Sequence, residues 1–132
     1  MSKDLEFPSD LRYTKEHEWA RITGNRALIG ITEFAVEQLG DITMVDLPKE
    51  GEHFRSEQVL ATIESVKAVS DIYAPLSGKI SKVNDPLKDA PETLNEDCYD
   101  EGWIVELEFD SVAEADKLMT SKEYAEYVKE HS

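Results

Sequence analysis

The sequence predicts a mainly β domain with one short internal helix and a helical C-terminus. Three observations carry this. Short apolar or alternating runs recur as far as Phe109, separated by Gly, Asn and Pro. Within that stretch, the segment between Thr32 and Gly40 has helical spacing. Two Ser/Thr-x-x-Glu signatures, Ser111 with Glu114 and Thr120 with Glu123, then open the final segment.

Taken in order, Glu18–Ile22 alternates apolar and polar residues and predicts a strand, with Gly24-Asn25 as its turn and Arg26–Ile31 as the returning strand. Thr32 is the expected N-cap and Gly40 the expected C′ residue of a helix on which Phe34, Ala35, Gln38 and Leu39 share a stripe. Ile42–Leu47 reads as a strand stopped by Pro48, and Gly51 as the next turn. Val59–Ile63 and Val69–Tyr73 form the arms of a hairpin. Gly78 is expected to begin a turn into Lys79–Val83. Residues 84–102, rich in Pro, Asp and Asn, predict a long surface loop with one helical turn from Pro91. Trp103–Phe109 reads as a strand with Trp103, Val105, Leu107 and Phe109 on one face and Glu106 and Glu108 on the other. The first C-terminal helix carries Val112, Ala115, Leu118 and Met119; the second carries Tyr124, Tyr127 and Val128.

A chain of 132 residues, 40% hydrophobic, fits a single domain over 1–132, with a core at about 11–110 and a helical segment at about 111–130. The formal net charge is −15, from 29 acidic and 14 basic residues. Phosphate backbones would be repelled, so no nucleic-acid partner is expected; association with basic surfaces is. No window approaches the ~18 apolar residues of a membrane span, so no membrane partner is expected. Met1–Phe7 lacks the apolar core of a signal peptide, and Asp4, Glu6 and Asp10 argue against a transit peptide. A cytoplasmic protein is the expectation, with a mature mitochondrial form as the alternative. Cys98 is the only cysteine and is read as a buried thiol, since no positive cluster surrounds it.

Lys67 sits at the tip of the hairpin, with Glu64 three residues before it and Asp71 four after. Its turn allows three readings. A solvated lysine is the ordinary case. A catalytic lysine would need desolvation or cationic neighbours, and Glu64 and Asp71 supply the opposite. A target for acylation suits a protruding turn that a modifying enzyme can grip. Gly51, sixteen residues before, and Gly78, eleven after, flank the hairpin with chain reversals. Glu16, His17 and Glu18, taken as consecutive strand residues, would point to alternating faces, so no metal site is expected there.

Glu64-Ser65-Val66-Lys67-Ala68-Val69-Ser70-Asp71 closely resembles the lipoylation segment of the glycine cleavage system H protein family. Further blocks resemble that family in order: Tyr13–Trp19, Gly30–Glu33, Gln38–Ile42, Asp46–Pro48, and Asn95–Asp97 with Gly102-Trp103. Together they span roughly residues 11–128. The resemblance implies a lipoyl/biotinyl-type barrel-sandwich hybrid of two antiparallel sheets. It also implies a lipoyl carrier without catalytic residues of its own, with lipoate joined to Lys67 by an amide. The arm would take an aminomethyl group from the P protein (the pyridoxal-phosphate glycine decarboxylase) to the T protein (aminomethyltransferase). The L protein (dihydrolipoamide dehydrogenase) would reoxidise it. A lipoate ligase or an octanoyl/lipoyl transferase would load it.

A loaded arm must keep its amine protonated and dry, which a cleft with carboxylates would do, and the resemblance implies such a cleft. Carried over by motif, Glu18, Asp71 and Glu16 are the candidate carboxylates, and Ile31, Ala35, Gln38 and Leu39 the candidate walls. Glu16 stands where the family often has serine. Cys98 replaces a common proline, which should loosen its loop, and Met44 replaces a usual aromatic in what is expected to be core. Competing readings are a lipoyl-relay donor that passes its lipoyl group to other complexes, a biotin carrier, and an unmodified interaction domain. Val66 and Ala68, rather than methionines, flank the lysine and argue against biotin.

Overall fold

The computed structural model describes residues 7–131. The Met1–Glu6 part of the segment on which the leader expectation rests, together with Ser132, lies outside them. The strands are β1 (Arg12–Tyr13), β2 (Glu18–Thr23), β3 (Arg26–Ile31), β4 (Ile42–Asp46), β5 (His53–Phe54), β6 (Val59–Ser65), β7 (Val69–Tyr73), β8 (Gly78–Val83) and β9 (Val105–Phe109). The helices are α1 (Glu33–Leu39), α2 (Thr93–Glu96), α3 (Val112–Asp116) and α4 (Ser121–His131). Two antiparallel sheets result, one in the order β1-β2-β3-β9-β8-β5 and one in the order β4-β6-β7. This is the barrel-sandwich architecture that the resemblance implies.

Alternation assigns the faces. Ala27, Ile29 and Ile31 of β3, Ile63 of β6, Ile72 of β7, Ile80 of β8 and Leu107 of β9 belong to one core between the sheets. A second core, of Leu11, Tyr13, Trp19, Phe34, Tyr124 and Val128, lies under α4. Strands β2 and β3 contribute to both cores, so they are covered on both faces. On the outer face of the small sheet Met44 lies opposite Glu64, and Glu64 opposite Val69. Met44 is 51% exposed there and is not core, contrary to expectation.

The helix ends follow their caps in part. Thr32 accepts from the Ala35 N–H, as an N-cap should, and Gly40 closes α1 with φ 74°. The Thr120–Glu123 capping box forms in both directions. The Ser111–Glu114 box does not: Ser111 makes no side-chain cap, and Glu114 instead accepts from the Ser77 N–H and hydroxyl at 2.9 Å each. A carboxylate reaching two donors on a neighbouring loop satisfies more groups than a local cap would. α3 accordingly stops at Asp116, Val112 is 69% exposed, and Met119 leaves the helix to bridge Tyr13.

Residues 84–102 hold the helical turn expected after Pro91, as α2, but are more than a surface loop. A 3₁₀ turn at Asp85–Lys88 and helix α2 carry Leu87 and Leu94 into the core. The Asn84 amide donates to the carbonyls of Glu101 and Trp103 and closes the loop. Cys98 is buried, and its carbonyl accepts from the Trp19 indole at 3.0 Å, so the segment is pinned rather than loosened. β9 begins at Val105, two residues after the expected start, and Ile104 just before it is fully buried.

Two glycines differ in their reason. Gly51 has φ 91° in a turn with open space around it. Gly78 begins no turn; it is the first residue of β8, and a Cβ there would lie 2.3 Å from the Glu108 carbonyl oxygen. Gly78→Ala is therefore expected to cost about 3 kcal/mol or more by forcing two strands apart. Gly51→Ala should cost only ~1–2 kcal/mol of backbone strain. Urea midpoints of the two variants check the order; equal losses would contradict it.

Candidate functional site

The Lys67 turn is closed from within and docked from outside. The Ser65 hydroxyl accepts from the Lys67 N–H at 3.2 Å and the Ala68 N–H at 3.1 Å, and the Ser65 N–H donates to the Ala68 carbonyl at 2.8 Å. Serine is suited to this local bonding. Outside the turn, the Val66 N–H donates to the Asp41 carbonyl at 3.0 Å. Gly40 lies so close that a Cβ there would meet the Lys67 Cε at 3.3 Å. The lysine itself is exposed.

A cleft of about 560 Å³ opens at the other end of the small sheet. Glu16, Glu18, Glu57 and Glu114 line it with Lys15 and Lys117, four carboxylates against two ammonium groups. Tyr13, Tyr73, Pro75, Leu118 and Met119 give it apolar walls. Glu18 is 1% exposed. Its carboxylate accepts from the Thr14 hydroxyl at 2.5 Å and from the Tyr73 N–H at 3.2 Å. Burial pushes its pKa up to about 7, with these two hydrogen bonds opposing the shift.

The turn before β2 sets this geometry. His17 is not a strand residue: it has φ 71°, and its N–H donates to the Thr14 carbonyl. The alternating-face premise therefore fails for Glu16-His17-Glu18. Among the described residues no three His, Cys, Asp or Glu side chains converge as a metal site. His17 Nδ1 meets the Tyr124 hydroxyl at 2.7 Å, and that hydroxyl also meets Thr32 Oγ1 at 2.8 Å. Burial lowers the pKa of His17.

Of the expected cleft residues, the structure brings Glu16 and Glu18 together. Glu16 is exposed at the rim. Asp71 is exposed and lies opposite Thr62, outside that lining, although it shares a face of β7 with Tyr73. Ile31 pairs with Glu18 across β2 and β3 but is buried in the core. Leu39 is also core, Ala35 is half-buried, and Gln38 is exposed. Val36, which the helical stripe omits, is buried in place of Gln38. Helix α1 and strand β7 nonetheless run between the same two points. Gly40 and Val69 flank the Lys67 end, while Ile31 and Tyr73 adjoin Glu18. At about 3.3 Å per residue the four steps of β7 from Val69 to Tyr73 span about 13 Å.

Sequence reasoning missed Glu57, Glu114, Lys15 and Lys117. Glu114 carried a helix-cap signature that pointed elsewhere. Glu57 sits at φ 75°, a conformation that its residue type does not announce.

Comparison with known proteins bears on the whole chain. The family described as Glycine cleavage H-protein matches residues 11–131. The Glycine cleavage system H protein of Anaeromyxobacter sp. (strain K) is 48% identical over 126 residues, covering 96% of this chain and 98% of that one. Its counterpart from Brevibacillus brevis is also 48% identical, covering 96% of this chain and 100% of that one. The crystal structure of a glycine cleavage system H protein from Mycobacterium marinum superposes with a TM-score of 0.86 at 38% identity, covering 93% of this chain and 99% of that one.

The raised pKa of Glu18 fixes a sign for stability. The folded protein holds this proton more tightly than the unfolded chain does. The stabilisation is complete below the ordinary value of 4.5 and is lost as pH rises through about 7. The loss amounts to roughly 3 kcal/mol. Glu18→Gln removes it, so the variant should gain stability relative to the parent between pH 5 and pH 8. His17 contributes with the opposite sign but is common to both proteins. Denaturant unfolding at the two pH values tests this, and a constant difference would contradict it.

Proposed function

Because this chain belongs to the glycine cleavage H-protein family, we propose that it is the lipoylated carrier of glycine cleavage, with Lys67 as its attachment point. The observation that carries the reading is the Lys67 turn: an exposed amine on a loop that Ser65 locks from within and Asp41 holds from below. The missing Cβ at Gly40 leaves the lysine methylenes room against the end of α1. These features fit an acylated lysine better than a solvated one, which needs no built turn.

For loading, Lys67 Nζ sheds a proton and attacks an adenylated lipoyl carboxyl supplied by a lipoate ligase. The amide C–N bond forms as the bond to AMP breaks. Held there by Lys67, lipoate would supply a disulfide able to carry the aminomethyl group from the P protein to the T protein and to be reoxidised by the L protein. The chain itself contributes tethering, which raises local concentration at each partner, and a place to shelter the load.

The cleft supports the shelter. Its surplus of carboxylates favours a cationic amine, and its apolar walls limit water. A cation beside Glu18 lowers that carboxyl's pKa and ionises it, and the resulting charge-assisted hydrogen bond keeps the amine protonated. Glu16 at the rim adds to the field. Asp71 lies part-way along β7 between the lysine and the cleft, where it faces an arm passing over the strand.

Intact-mass measurement of protein from a lipoate-replete host should show one lipoyl group on the peptide containing Lys67, and none in Lys67→Ala. Biotin or a bare amine in its place would overturn the proposal. Glu18→Ala should leave lipoylation intact and shorten the lifetime of the aminomethyl form on the order of tenfold, the worth of one charge-assisted hydrogen bond. An unchanged decay would remove Glu18 from the sheltering role.

A further inference from the structure

Resting on the reading that Lys67 is acylated, we infer that Asn95 is a positioning residue for that modification, acting through the link between α1 and β4. The two residues are 28 apart in sequence, yet the fold places Asn95 under the lysine turn. Its amide oxygen accepts from the Ile42 N–H at 3.0 Å, and its amide nitrogen donates to the Gly40 carbonyl at 2.9 Å. One side chain therefore holds the backbone on both sides of Asp41. Between these two points the Asp41 carbonyl accepts the Val66 N–H at 3.0 Å, and Val66 is the residue before the lysine.

The need for such a clamp follows from the ladder. Ile42–Ser65 is the last regular pair between β4 and β6, and the register shifts between Ile42 and Met44. The Val66–Asp41 bond extends pairing one step past that irregular end, where strands fray. Gly40, on the far side, has φ 74° and ψ −148°, a region essentially confined to glycine. A backbone in that conformation holds only when its surroundings determine it. Asn95 supplies the determination, because α2 is anchored by the fully buried Leu94.

Asn95 is exposed, so each of its two hydrogen bonds adds only ~1 kcal/mol to folding. Its consequence is local order at the lysine turn. The Ser65 bonds keep the turn's shape, while the Asn95 clamp fixes its height and direction relative to the sheet. An acylating enzyme meeting a turn that must first be ordered binds only the ordered fraction. The apparent KM for the apoprotein then rises in proportion, with kcat little changed.

The test is steady-state acylation of purified apoprotein by a lipoate ligase with lipoate and ATP, followed by mass, for the parent, Asn95→Ala and Asn95→Asp. Asn95→Asp keeps the shape and the acceptor for Ile42 but loses the donor to Gly40. Both variants are expected to raise KM for apoprotein roughly tenfold at near-parent kcat. Amide exchange should quicken at Val66 and stay unchanged at Ile63 and Ile72. Parent-like KM in both folded variants would overturn the inference. Loss of the fold in both would also overturn it, by making the amide's role one of global stability. Failure of the parent itself to accept lipoate would instead refute the acylation reading, a separate result.

Discussion

A single buried carboxylate crosses the seam between the two sheets. Glu18 starts β2 in the large sheet, and its side chain accepts the backbone N–H of Tyr73 at the end of β7 in the small one. Burying an ionisable group is costly unless its lone pairs are engaged, and here the Thr14 hydroxyl engages the second oxygen. This requirement ties the Thr14–His17 turn, the first strand and the end of the lysine hairpin into one geometry. The His17 imidazole extends the tie to Tyr124 on α4, and Tyr124 reaches Thr32 at the start of α1. The cleft exists because these elements meet around Glu18.

The same hairpin carries a different constraint at its other end. There Lys67 is exposed, and the turn is built from backbone hydrogen bonds and one serine rather than from burial. One hairpin thus joins an exposed, hydrogen-bonded tip to an acidic base around the buried Glu18. The strands of the hairpin keep these two environments apart. The acidic balance of the chain persists into the cleft, where carboxylates outnumber ammonium groups.

Much of the fold was legible. Glu18–Ile22, Arg26–Ile31 and the two arms around Lys67 were read nearly to the residue because alternation and turn residues coincide there. The two-residue strands β1 and β5 were not, since two residues carry no period. The stretch from Asn84 to Gly102 misled because its polar composition masks Leu87 and Leu94, each buried by partners distant in sequence. Glu114 misled because its spacing from Ser111 satisfies a local rule that the Ser77 donors outcompete. Met44 misled because nothing in a strand's own sequence says which face lacks a covering layer.

What the sequence alone determined is the lysine turn and the local elements around it. Serine bonding, glycine turns and strand alternation act within a few residues and can be read from them. What the tertiary structure decided is which carboxylates share a cleft and which residues back the turn. Glu57 and Glu114 join Glu18, and Asn95 reaches Gly40 and Ile42, through contacts between segments far apart in the chain. Such contacts depend on how two sheets close over a common core, and closure is a property of the whole packing rather than of any one segment.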